Sequence, residues 1–115
     1  MSEDSLLNGT VKLLQPERGY RTAIDPIFLA AAIPASYGDK VLDIGSGTGA
    51  ASICLAARVP NIQVTGLELQ FDMVDMAVKS SDLNKLNRRV FFFQGNLLLP
   101  PKNIIAENFD HVMAN

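Results

Sequence analysis

At 115 residues the chain is one domain at most, and 48% apolar, 19% charged and 7% aromatic residues make an ordinary globular composition. A net charge of −2 excludes a polyanion binder driven by bulk charge, and no apolar run reaches the ~18 residues that a membrane span needs. The acidic start Met1-Ser2-Glu3-Asp4 lacks the basic flank of a secretion signal, and one cysteine, Cys54, makes no internal disulfide, so a cytoplasmic location is expected.

Residues 1–10 read as loosely ordered, Val11–Leu14 as a short strand and Gln15–Arg21 as a turn-rich loop. Asp25-Pro26 opens a helix, with Asp as N-cap and Pro at the first helical position, and the apolar run Ile27–Ile33 follows until Pro34 stops it. After the turn Tyr37-Gly38-Asp39, Lys40–Ile44 is a strand, and the segment Ala50–Val59 is helical and apolar almost all round, as a helix buried against a sheet is. Ile62–Leu67 forms the next strand, ending at Glu68. Phe71, Val74 and Val78 mark an amphipathic helix running to about Leu86, closed by Asn87. Val90–Gln94 is a third strand, Pro100-Pro101 lies in a loop, and Phe109–Ala114 is a fourth strand. Apolar strands alternating with helices point to a parallel sheet covered on both faces.

The segment Val41-Leu42-Asp43-Ile44-Gly45-Ser46-Gly47-Thr48-Gly49 carries the chemistry. A buried strand turns sharply into a helix there, leaving bare backbone for a nucleotide-like ligand. Gly45-Ser46-Gly47-Thr48-Gly49-Ala50 also satisfies the loose dinucleotide pattern, and Glu68, 23 residues after Gly45, stands at a strand end where a carboxylate binds ribose hydroxyls. Asp43 separates the ligands. A carboxylate repels the pyrophosphate of a dinucleotide, whereas S-adenosylmethionine presents an ammonium and a sulfonium. Each residue also has a plain alternative: Asp43 capping the turn, Glu68 solvated, Tyr20 and Arg21 packing a loop, Asp25 serving only as a cap. Cys54 fits a buried structural thiol, His111 a core or strand-face residue, and Lys79, Lys85, Arg88 and Arg89 a solvated helix face and turn. No Cys/His cluster has metal-ligand spacing, so no metal is expected.

On these residues the chain resembles the class I S-adenosylmethionine-dependent methyltransferases. Gly66-Leu67-Glu68-Leu69 looks like the family's second motif, whose acid binds the cofactor ribose. Gln94-Gly95-Asn96-Leu97 looks like the third, which contacts adenine, with Asn96 where the family usually has aspartate. Phe109–Asn115 resembles the strand leading into the Asn-Pro-Pro-Tyr motif of amino-group methyltransferases, stopping at its asparagine. Gln15-Pro16, Gly19-Tyr20-Arg21, Asp25 and Leu29-Ala30 are similar to bacterial enzymes that methylate an adenine amino group in valine transfer RNA.

The resemblance implies a Rossmann-like α/β fold with a parallel sheet in the order 3-2-1-4, helices on both faces and the C-terminal strands absent. Residues 1–34 are expected to form an N-terminal loop and helix over the cofactor site, and 35–115 the N-terminal half of the methyltransferase domain. It further implies S-adenosylmethionine as cofactor, held by Arg21, Asp43, Gly45, Ser46, Gly47, Gly49, Glu68, Leu69, Asn96 and Leu97. Asn115 would be the catalytic group and transfer RNA the partner of the full-length parent, and the cofactor-binding half alone is expected to lack turnover. The last strand is expected to be a bare edge that pairs with another copy. Two further readings stand beside this one: a non-catalytic cofactor-binding or assembly module, and a fragment of an NAD-dependent oxidoreductase.

Overall fold

The computed structural model describes residues 2–6, 11–16 and 33–114. The chain opens with an antiparallel hairpin of β1 (Ser2–Leu6) and β2 (Val11–Gln15), paired from Ser2↔Gln15 to Leu6↔Val11. This corrects the expectation of a loosely ordered start and extends the second strand to Gln15. The polar segment Ser2-Glu3-Asp4-Ser5-Leu6 has no apolar alternation to announce it. Partner hydrogen bonds make it a strand, helped by the Gln15 side chain, which donates to Asp4 Oδ2 at 2.6 Å.

The rest is a four-stranded parallel sheet of β3 (Lys40–Ile44), β4 (Gln63–Glu68), β5 (Val90–Gln94) and β6 (His111–Ala114), in the spatial order β5-β4-β3-β6. Renumbered within this sheet, that is the expected order 3-2-1-4. Helix α1 (Ala50–Arg58) joins β3 to β4, α2 (Phe71–Leu83) joins β4 to β5, and α3 (Lys102–Ala106) lies between β5 and β6. The short α3 follows directly on Pro100-Pro101, where only a loop was expected. Chain direction along the sheet reverses after β5. Right-handed crossovers therefore put α1 and α2 on one face and α3 on the other.

The register makes two rows of side chains. Val41, Val64, Val90, Phe92 and Met113 face α1 and α2 and belong, with Ile53, Leu55, Val74 and Ala77, to one buried cluster. Val11 and Leu13 of the hairpin join that cluster from the far side of the helices, both fully buried. Leu42, Thr65, Leu67, Phe91, Phe93 and Val112 point to the opposite face.

Polar side chains fix the hairpin. Ser80 Oγ accepts the Leu14 N–H at 2.7 Å, and Asn84 both accepts from the Lys12 N–H at 2.8 Å and donates to the Lys12 carbonyl at 2.6 Å. Two residues one helical turn apart thus stand in for a third strand along the open edge of β2.

Helix α2 stops at Leu83, three residues earlier than periodicity suggests. Lys85 adopts φ 58, its N–H reaches the Asp82 carbonyl at 3.1 Å, and the Leu86 N–H reaches that of Ser81 at 2.9 Å. This is a Schellman cap with lysine in the position usually taken by glycine, held by burial of Leu86. The expected helix over 25–33 lies largely outside the described residues.

Candidate functional site

The site grows from the C-terminal ends of β3 and β4. Between Ile44 and Ala50 the backbone takes φ 69 at Gly45, 57 at Gly47 and 89 at Gly49. Among the described residues, a Cβ at Gly45 or Gly47 would meet nothing within 4 Å, so these two glycines answer to the left-handed backbone. Gly49 shares that backbone, and it and Gly66 have a further reason. A Cβ there would lie 2.7 Å and 2.5 Å from the ring of Phe92, which wedges between the turn and β4.

Four N–H groups of the turn are engaged. The N–H groups of Gly45 and Ser46 donate to the Leu67 carbonyl at 2.8 and 3.2 Å, that of Gly47 donates to Glu68 Oε1 at 2.9 Å, and that of Gly49 to the Ser46 carbonyl at 2.9 Å. The second oxygen of Glu68 accepts the Gln70 N–H at 2.9 Å. Glu68 is buried at 9% exposure, so the solvated-carboxylate alternative does not hold. A pyrophosphate binds where backbone N–H groups at a helix start are free. Here those of residues 45, 46, 47 and 49 are engaged and a carboxylate stands against them, which weighs against a dinucleotide.

Asp43 lies beneath the turn, 2% exposed, and its Oδ2 accepts a hydrogen bond from Ser52 Oγ in the first turn of α1 at 2.6 Å. Burial pushes its carboxyl up to about 6; the Ser52 bond opposes that rise and the neighbouring Glu68 adds to it. The Ser46 hydroxyl is buried over Gly66 and has no hydrogen-bond partner among the described residues.

The end of β5 is tied to the same edge. The Gly95 N–H donates to the Glu68 carbonyl at 3.0 Å and Gln94 Nε2 to the Leu69 carbonyl at 3.2 Å. Asn96 is exposed, with Oδ1 accepting the Leu98 N–H at 3.0 Å. Leu69 and Leu97 present apolar side chains to solvent, 65% and 50% exposed. The strand order reverses between β3 and β6, where α/β sheets place their ligands, and Ala114 pairs with Ile44, one residue before the turn. The structure therefore gathers Asp43, Gly45, Ser46, Gly47, Gly49, Glu68, Leu69, Asn96 and Leu97 along the C-terminal ends of three neighbouring strands. Arg21, Tyr20, Asp25 and Asn115 lie outside the described residues.

Residues elsewhere take structural roles. Arg89 donates to the carbonyls of Ala56, Val59 and Ile62 at 3.0, 3.3 and 3.2 Å, capping the C-terminal end of α1. Lys79 pairs with Asp75 at 2.9 Å. His111 is half-buried and bonded to Asp39 Oδ2 at 3.0 Å; the Ser36 N–H, and then His111, hold the Asp39 carboxyl below its ordinary range. Cys54 is buried and its thiol pushed up to about 11 by that burial, as an inert structural thiol would be. Among the described residues no His/Cys/Asp/Glu group could hold a metal ion, and no helix is long and apolar enough to cross a membrane.

Comparison with known proteins agrees with this geometry. A family model described as a methyltransferase domain matches residues 41–115. The release factor glutamine methyltransferase of Aliivibrio fischeri is 33% identical over 66% of this chain and 26% of its own length. The 23S rRNA (uracil(747)-C(5))-methyltransferase of Pyrococcus abyssi is 37% identical over 70% of this chain and 20% of its own. The tRNA1(Val) (adenine(37)-N6)-methyltransferase of Yersinia pestis is 28% identical over 79% of this chain and 35% of its own. In three dimensions the chain is similar to a methyltransferase from Thiobacillus denitrificans solved with S-adenosyl-L-homocysteine, with a TM-score of 0.66 and 23% identity over 80% of this chain and 36% of that one. The chain spans about a third or less of the length of these curated relatives.

Proposed function

Because the chain belongs to the family of S-adenosylmethionine-dependent methyltransferase domains, we propose that its glycine turn and the ends of β4 and β5 bind this cofactor. We further propose that the protein to which the chain contributes this site methylates an exocyclic amino group, that of adenine in transfer RNA. The observation that carries the cofactor reading is the turn itself: left-handed at Gly45 and Gly47, with the N–H groups of residues 45, 46, 47 and 49 engaged and two carboxylates alongside. Such a site refuses phosphate and suits a ligand carrying positive charge.

When bound, S-adenosylmethionine supplies a methyl group on a positively charged sulfur. The residues divide the remaining work. Glu68 accepts hydrogen bonds from the ribose hydroxyls, and Leu69 and Leu97 offer apolar surface to the adenine. Asn96 accepts from the adenine amine through the free lone pair of its side-chain oxygen. Arg21, in the N-terminal unit of residues 1–34, is assigned to the same ligand. Asn115, which follows β6, accepts a hydrogen bond from the target amine as that nitrogen gains positive charge. The transfer RNA reading draws support from the Yersinia relative, matched over 79% of this chain. The Aliivibrio relative supports a second reading, in which the acceptor is a protein glutamine.

Calorimetry on the chain with S-adenosylhomocysteine and with NADH tests the cofactor. Saturable binding of the first and none of the second is expected, and the reverse would overturn the assignment. For the acceptor, the whole protein is given labelled S-adenosylmethionine with unmodified transfer RNA and, separately, with a release factor. Label in adenine supports the reading, and label only in protein replaces it with the second.

A further inference from the structure

We propose that Glu68 is a positioning residue as well as a ribose ligand: its carboxylate clamps the glycine turn to the end of β4 and so fixes the shape of the site before any cofactor arrives. The inference rests on the S-adenosylmethionine reading and adds to it. One carboxylate oxygen takes the N–H of Gly47, in the middle of the turn, and the other takes that of Gln70, where β4 gives way to α2. Leu67, next to Glu68, receives the N–H groups of Gly45 and Ser46 through its carbonyl. Two adjacent residues of β4 thus hold three consecutive N–H groups of the turn.

The clamp does not compete with the ribose. An ionised carboxylate has about four acceptor positions, and the two backbone bonds fill half of them. The remaining lone pairs are aimed by bonds already made, so the side chain is ordered without the ligand. Gly47 needs such a restraint. Among the described residues nothing would pack on a side chain there, and nothing but Glu68 bonds its N–H.

Glutamine at this position separates clamp from ligand. Its amide keeps one acceptor oxygen but turns an NH2 group toward one of the two backbone donors, so one arm of the clamp breaks. The affinities of wild type and Glu68→Gln are compared for S-adenosylhomocysteine and for an analogue lacking both ribose hydroxyls. If Glu68 positions the turn, the substitution weakens both ligands by about tenfold or more. If it serves only the ribose, the analogue binds both proteins within about twofold, and the proposal is overturned.

A second measurement needs no variant. In hydrogen exchange of the ligand-free wild type, the Gly47 and Gln70 amides should be protected, since Glu68 accepts from both. A Gly47 amide that exchanges as fast as a free one overturns the clamp whether or not the variant folds. Failure of the wild type to bind S-adenosylhomocysteine would instead remove the cofactor reading, and this exchange measurement would still decide the clamp.

Discussion

The two faces of the parallel sheet are built to different standards. On one, Val41, Val64, Val90, Phe92 and Met113 are all buried beneath α1 and α2, and the hairpin closes over those helices. On the other, Leu42 and Leu67 are buried, yet Phe91 and Phe93 are each 37% exposed and Val112 57%. Val90-Phe91-Phe92-Phe93 is one apolar run, and alternation sends its members to opposite fates. Stability therefore resides in the helical side. The glycine turn is anchored to that side, because Phe92 packs against Gly49 and Gly66.

The sharpest test of this contrast compares neighbours in sequence. Phe92→Ala should cost about 3–5 kcal/mol in urea unfolding, or abolish the cooperative transition. Phe91→Ala should cost under about 1 kcal/mol. Equal losses at the two positions would mean that the two faces contribute alike.

Next in size is a pH effect on the buried face. The Asp43 carboxyl titrates at about 6 in the folded chain against an ordinary 3.8. Its ionisation then opposes folding: the cost is absent below the ordinary value, grows between the two, and is complete above about 6. The shift corresponds to about 3 kcal/mol. Asp43→Asn, which can still accept the Ser52 hydrogen bond, should raise stability by up to that amount at pH 8 and leave it unchanged at acid pH. A gain independent of pH would remove the electrostatic explanation.

The smallest effect probes the hairpin. Asn84→Ala removes both side-chain bonds to Lys12 and should cost about 1–2 kcal/mol. Hydrogen exchange should quicken in β1 and β2 while β3 and β4 stay protected. Uniform acceleration would show that the hairpin is no separate layer.

How much of this was legible in the chain depended on the kind of signal. The strands β3, β4 and β5 announce themselves through apolar runs, and the glycine turn through its spacing. Sheet order came from the resemblance to the methyltransferase family, and the structure shows it. Strand β1 was not legible, because its residues are polar and its pairing is supplied by β2. The end of α2 was hidden by Lys85, which takes a glycine's conformation without being one. Within the site, Glu68 stood out as an acid at a strand end, but not its grip on Gly47, which depends on how closely β4 approaches the turn. Equally spaced glycines also concealed two causes, left-handed backbone at all three and, at 49 alone, ring contact besides.

Helix α1 carries a dipole whose positive pole, worth about half an elementary charge, sits at the glycine turn and would by itself repel a cation. The carboxylates of Glu68 and Asp43 stand at that pole, and the guanidinium of Arg89 occupies the opposite one. Above about pH 6 the two acids outweigh the half charge and reverse the local potential. With its poles countered by residues from three other strands and turns, the helix contributes rigidity to the site while the acids set the sign of its field.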